Sequence, residues 1–219
     1  MPDREIFALR KVPMRTFFMV VLTLALTFGF VNAAEKQSFI NGVVSVVVPD
    51  NWNAELDQRQ LALSIIRDGE PSTRIIFSTP GLNSEGDPSV PFERNLDLMY
   101  MFFGSDLNII SEESSVDRYG KTGMQMDYSA RRDGNGFRGR VFSFAEAGTT
   151  VLAIYISKED DFAAYEESFN AILSSYAVNA DALAANRDMF QKISDQADQL
   201  YSELVEELDE AYEDEATEQ

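Results

Sequence analysis

Between residues 131 and 140 the chain reads Arg131-Arg132-Asp133-Gly134-Asn135-Gly136-Phe137-Arg138-Gly139-Arg140. It contains the G-x-G-x-x-G spacing of a dinucleotide-binding loop. In such a loop the third glycine opens a helix, because the pyrophosphate sits on that helix's N-terminus. Here Gly139 is followed by Arg140-Val141-Phe142-Ser143-Phe144, whose period of two predicts a strand. Asp133-Gly134 and Asn135-Gly136 are instead strong hairpin signals, since these residues accept positive φ at little cost. A calcium-loop reading also fails: Asp133 and Asn135 fit the first two ligand positions, but Phe137 takes the third and Arg138 the obligatory glycine. The stretch is therefore read as a hairpin turn. The arginines around it leave two alternatives. Arg131, Arg132, Arg138 and Arg140 form a patch for an anion or an acidic partner, or they pair with the protein's own carboxylates across strands.

Other chemistry is sparse. The chain has neither histidine nor cysteine, which removes Ser-His and Cys-His nucleophiles, imidazole zinc sites and disulfides. The G-x-S-x-G and S-x-x-K hydrolase signatures do not occur. Carboxylates remain. Glu112-Glu113 lies in a strand pattern, where neighbours point to opposite faces, and Asp160-Asp161 precedes a helix as a cap. A glycosidase-type pair distant in sequence stays open, because the spacing that matters there is spatial. The expectation is a non-catalytic protein, with no catalytic residue, cofactor or metal site.

The elements that would position these residues are short strands and few helices. Residues 39–48 are β-branched, with Asn41-Gly42 as a turn and Pro49 as the end. Residues 60–67 and 73–79 read as strands separated by Gly69-Glu70-Pro71-Ser72. Phe92, Leu96, Met99, Tyr100 and Phe103 keep helical spacing up to Gly104; a helix buried on a sheet or a ligand groove would both use them. Four alternating segments follow, 107–118, 122–131, 138–146 and 149–157, joined by thin turns at Tyr119-Gly120, the opening motif and Ala147-Gly148. Phe162 to Tyr176 then forms a helix with Asp160 or Asp161 as N-cap. Hairpin-joined strands with few helices predict an α+β fold built on an antiparallel sheet.

After Asn179, Phe190, Ile193, Ala197, Leu200, Leu204, Leu208 and Ala211 recur at threes and fours. Residues 181–213 hold no proline or glycine, so one long acidic amphipathic helix is expected. Acids at its C-terminus oppose the macrodipole, and its last turns are expected to fray. Its apolar stripe is left three ways of being covered: packing on its own domain, a coiled coil between chains (a homo-oligomer through residues 181–213), or docking on another protein.

The N-terminus predicts export. Arg10, Lys11 and Arg15 precede the apolar run Phe17–Val31, which is shorter than the roughly 20 residues of a bilayer span. Val31-Asn32-Ala33 is a cleavage signature, placing the cut between Ala33 and Ala34. No stable membrane insertion is expected after cleavage, and the location is periplasmic or secreted. Starting at Met14 rather than Met1 would give a more compact signal. From Ala34 onward the chain carries 14 Lys+Arg against 35 Asp+Glu, net −21, and residues 195–219 hold 11 of those acids and no base. Such a molecule is repelled by nucleic acid and anionic lipid; a protein partner, a small ligand or a divalent cation fits the charge better.

The stretch Phe39-Ile40-Asn41-Gly42-Val43-Val44-Ser45-Val46-Val47-Val48-Pro49-Asp50-Asn51-Trp52 resembles the opening of PsbP-like proteins, DcrB-type envelope proteins included, where a short hairpin runs into a P-x-x-W corner. Ala171-Ile172-Leu173-Ser174-Ser175-Tyr176 is similar to the family's closing helix. The resemblance covers about residues 38–178. It implies an antiparallel sheet sandwiched by helices, Pro49 and Trp52 as structural anchors, and an accessory or binding role. It supplies no metal site, since the family's metal-linked histidines have no counterpart here. The expected organisation is a signal peptide over 1–33, a PsbP-like domain over 34–179 and an acidic helical extension over 180–219.

Overall fold

The computed structural model describes residues 35–57, 61–83, 85–132 and 134–217. The segment read as a signal peptide, with Ala33, Ala34 and Asp133, lies outside them. Among the described residues ten strands form two antiparallel sheets. The small one has the order β1(Glu35–Phe39)-β2(Val44–Val48)-β10(Ala177–Val178). The large one has the order β3(Trp52–Leu56)-β4(Leu63–Arg67)-β5(Glu70–Phe77)-β9(Thr149–Lys158)-β8(Asn135–Glu146)-β7(Lys121–Arg132)-β6(Leu107–Arg118). Helix α1(Ser89–Phe103) connects β5 to β6, and α2(Phe162–Ser175) follows β9. The chain ends in α3(Ala180–Ala185) and α4(Arg187–Thr217). It is an α+β fold with an antiparallel sheet between helical layers, as expected.

Glycine chemistry sets the long meander. Arg118 pairs with Lys121, Arg132 with Asn135 and Glu146 with Thr149, so each connection has two residues. Each ends in a glycine at positive φ: Gly120 at 70°, Gly134 at 78°, Gly148 at 77°. Such turns match the right-handed twist of the strands they join. The Asn135-Gly136 pair, also read as a turn signal, lies inside β8 instead. Pro49 has a different task. Lacking an N–H, it cannot extend the small-sheet ladder. The chain leaves that sheet after Val48, turns with Trp52 N–H donating to the Pro49 carbonyl (3.2 Å), and enters the large sheet at Trp52.

Alternation sorts the side chains into two cores. Phe92, Met99, Met126, Tyr128, Ala130, Val141 and Leu152 form one, between α1 and the large sheet. The aromatic-rich α1 is thereby accounted for by ordinary packing. The other face carries the larger core, in which Trp52, Ile65, Phe77, Phe142, Phe144 and Tyr155 meet α2 and the small sheet. Phe77 stacks on Tyr176 (4.3 Å between centroids) and Tyr155 on Phe169 (4.5 Å). Each such ring contributes about 1.5–3 kcal/mol by leaving water.

Three local expectations are corrected. Asp161 precedes α2 but makes no side-chain capping bond, because a 3-10 turn, Glu159–Asp161, leads into the helix and holds Asp161 in helical φ/ψ. The first half has five strands rather than four, because Trp52–Leu56 is one too, and β1 begins earlier than expected, at Glu35. The C-terminal extension is two helices, not one. Asn186 breaks it (φ −112°, ψ 17°): its N–H closes α3, and its carbonyl accepts from Met189 and Phe190 at the start of α4.

Candidate functional site

The arginines of the opening motif divide. Register places Arg131 opposite Gly136, Arg138 opposite Ser129, and Arg140 opposite Asp127, so these three share the face that α2 covers, and Arg132 lies on the other. Arg140 is buried, with 6% of its surface exposed. Its Nε and Nη2 donate to the two Asp127 carboxylate oxygens at 2.7 and 2.9 Å, and Nη1 donates to Glu166 on α2 at 2.7 Å and to the Tyr119 hydroxyl at 3.3 Å. Burial by itself would lower the Arg140 pKa, but hydrogen bonds to Asp127 and Glu166, with the Asp127 charge, outweigh it and hold the guanidinium above its usual range. Arg138 lies over the Phe162 ring at 4.8 Å, its Nε buried without a partner. Arg131 is exposed, and Arg132 is half-buried.

The three fingerprint glycines acquire structural reasons in place of a phosphate. Gly134 makes the turn. A Cβ on Gly136 would stand 2.8 Å from the Glu159 carboxylate, and one on Gly139 would stand 2.3 Å from the Tyr128 ring. The Tyr128 phenol thus lies directly on its cross-strand partner Gly139, and burial raises its pKa. Burial also pushes Tyr155 up to about 12, where its hydroxyl donates to the Phe162 carbonyl (3.1 Å). Tyr176 rises for the same reason, its hydroxyl buried without a partner. Among the described residues no group of three or more Asp or Glu is arranged to hold a metal ion.

Trp52 is 5% exposed and meets Tyr165 of α2 edge-on, ring centroids 6.2 Å apart. Arg67 lies over the same Tyr165 at 5.5 Å. The P-x-x-W corner therefore ties β3 to α2.

Helix α4 is the second region of interest, and it packs on its own chain. Phe190 is fully buried in the larger core, and Leu183 of α3 joins it at 6% exposure. Further along, the Leu82 N–H donates to Ser194 (3.2 Å), and Asn83 donates to Asp195 (3.2 Å) and Asp198 (2.6 Å). Arg94 of α1 pairs with Asp198 and lies over Tyr201 (5.1 Å), whose hydroxyl donates to Asp97 (2.6 Å). Hydrogen bonds from Gln191 and then Asn83 lower the Asp195 pKa. The docked seam is thus Phe190, Ser194, Asp198 and Tyr201. The apolar stripe Ile193, Ala197, Leu200, Leu204 sits one residue away, about 100° around the helix. Ile193 and Leu204 are half-buried and Ala197 is exposed, while Leu200 is 54% exposed.

Sequence reasoning named the arginines but not Asp127, Glu166 or Tyr119, which complete the network. No sequence signal marks Asp127: with Gln125 and Ser129 it occupies the alternating polar positions of β7, which a period of two assigns to the solvent side. Among the described residues no helix is long and apolar enough to cross a membrane.

No protein-family model matches the sequence, and no curated protein matches it. Solved structures do. A Bacteroides thetaiotaomicron protein is 9% identical, with a TM-score of 0.44 over 67% of this chain and 48% of its own, so this chain spans about half of that protein. PsbP of the cyanobacterium Synechocystis, of the family that the Phe39–Trp52 stretch resembles, is 16% identical with a TM-score of 0.47 over 70% of this chain and 98% of its own. LpqN of Mycobacterium tuberculosis, involved in cell envelope biogenesis, is 13% identical with a TM-score of 0.41 over 62% and 83%. These likenesses concern the fold alone.

Proposed function

We propose that this is an exported, non-catalytic accessory protein of the cell envelope that acts by holding a protein partner. The observation that carries the reading is the way α4 is mounted. The helix is fastened by a mixed polar seam and turns Ala197 and Leu200 outward between half-buried Ile193 and Leu204, whereas Arg140 and Asp127 pair with each other inside the fold. An outward apolar face on a rigid scaffold is the ordinary construction of a protein-binding surface. The leader-like segment over residues 1–33 supports export, and the acidic surface disfavours nucleic acid and anionic lipid as partners.

The test combines fractionation with crosslinking in cells. The full-length protein, expressed at native level, is expected in the exported fraction, with a reproducible set of crosslinks to one partner read by mass spectrometry. Retention in the cytoplasm, or a full-length protein that crosslinks to nothing reproducibly, would sink the reading. Truncation after Asn179 is a poor control, since it removes Leu183 and Phe190 from the core.

A further inference from the structure

We infer that the outward seam of α4, Ile193-Ala197-Leu200-Leu204, docks a basic amphipathic helix of another protein. The inference rests on the partner-binding reading above and names the partner's chemistry. Three observations carry it. The seam keeps the 4-3-4 spacing of an interhelical contact, and its central residues face water: Leu200 is 54% exposed, and Leu200, Tyr100 and Ile110 are the exposed large apolar residues among those described. The helix does not need this seam to dock on its own domain, because Phe190, Ser194, Asp198 and Tyr201 already do that. Finally, the charge of the helix beyond Lys192 has one sign. Glu203, next to Leu204, is exposed, and Lys192 is the last basic residue of the chain, with 11 acids and no base from residue 195 onward.

That charge selects among occupants. A second copy would bring two acidic helices side by side, and like charges along a helix pair oppose association. An anionic membrane surface is repelled for the same reason, and membrane-surface helices carry Lys and Arg on the polar face. A helix with leucine-type residues on one face and lysine or arginine flanking them satisfies both the seam and the field. Attraction of this kind accelerates encounter and weakens with salt, while the apolar contact sets how long the complex lasts.

The probe is a synthetic Leu/Lys peptide of about 18 residues, leucines on one helical face, roughly 27 Å long and so long enough to cover the ~17 Å from Ile193 to Leu204. Fluorescence anisotropy measures its binding to the full chain at two salt concentrations, against a scrambled peptide of identical composition. Burying a half-exposed leucine predicts that Leu200→Gln weakens binding about tenfold at either salt concentration. Glu203→Lys is expected to weaken it mainly at low salt. Both variants change exposed residues, and circular dichroism checks that they fold. If the scrambled peptide binds equally well, or Leu200→Gln changes nothing, the contact is charge alone and the inference is overturned. A wild-type chain that dimerises in sedimentation, with Leu200→Gln monomeric, would also overturn it by making the occupant a second copy. Crosslinks to a cellular partner that persist in Leu200→Gln would leave the partner-binding reading standing while this seam falls.

Discussion

Two regions of this molecule use the same residue types to opposite ends. Around Arg140, a guanidinium and the Asp127 carboxylate are shut between the sheet and α2, Glu166 and Tyr119 close the network at its edge, and Arg140 Nε, Nη1 and Nη2 all have partners. Between α1 and α4, Arg94, Asp97, Asp198 and Tyr201 make a similar set of contacts, but the Arg94 and Asp198 side chains are 37% and 33% exposed. Exposure is the difference. Water competes with the second set and salt screens it, so it holds a helix in place without stabilising it much. Burial makes the first set costly to disturb, because a charge left there without its partner has no water to turn to.

The largest effect should therefore come from breaking the buried set by one partner. Arg140→Leu leaves Asp127 buried beside an apolar side chain, and removing one member of a buried pair typically costs about 3–5 kcal/mol. The double variant Arg140→Leu/Asp127→Leu removes both charges and leaves Glu166, whose side chain is 42% exposed, to water. It should recover most of that loss. Urea unfolding of the three proteins decides the matter. A double variant as unstable as the single one would show that packing around Arg140, rather than the orphaned charge, dominates.

How far these regions were legible in the sequence follows from how local their causes are. The meander and its three turns were readable, because Gly120, Gly134 and Gly148 meet a demand on φ that neighbours cannot alter. Gly139 was readable only as a strand residue; that it makes room for Tyr128 depends on the register that sets them opposite. The start of β1 was missed because Glu35, Lys36, Gln37 and Ser38 are not strand-forming types and are held there by pairing with β2, from Ser45 to Val48. The break at Asn186 was missed because a side chain and a carbonyl do there what glycine or proline would have announced. The arginine cluster was visible, yet Glu166 became its partner only through the rotation of α2 on the sheet. For α4 the apolar period was correct, but the docked face is the neighbouring seam, chosen by Ser194, Asp198 and Tyr201 finding partners on Leu82, Arg94 and Asp97.

A second, smaller contrast separates the tyrosines of the interior from the rest of the charge. Burial raises the pKa of Tyr155 to about 12 and raises Tyr128 and Tyr176 as well. An unfolded phenol titrates near 10. Below that value both states keep the proton and the stabilisation is complete. Above it the unfolded chain gives up protons that the folded one retains, so stability falls from pH ~10 upward, by about 1.4 kcal/mol per pH unit for each such phenol. Tyr176→Phe isolates one of them. Its hydroxyl has no partner, so at pH 7 the change should be neutral or slightly stabilising. In urea titrations between pH 9 and 11.5, roughly bracketing the unfolded phenol, it should flatten the decline relative to wild type. Parallel declines in the two proteins would mean that Tyr176 ionises as freely in the fold as outside it.

The smallest effect belongs to the exposed clasp. Arg94→Met keeps the aliphatic stem against Tyr201 and removes only the charge facing Asp198. Pairs this exposed contribute about 0.2–1 kcal/mol, so the global unfolding midpoint should barely move. The local consequence should be larger than the global one, because this part of α4 is held by half-exposed polar contacts around Asp198 and Tyr201 and can open without the core. Hydrogen exchange should quicken for amides 198–206 and stay unchanged in β7 and β8, and added salt should bring the wild-type helix toward the variant's rate. Equal acceleration in β7 would place the clasp on the same cooperative unit as the Arg140 network, and the distinction drawn from exposure would collapse.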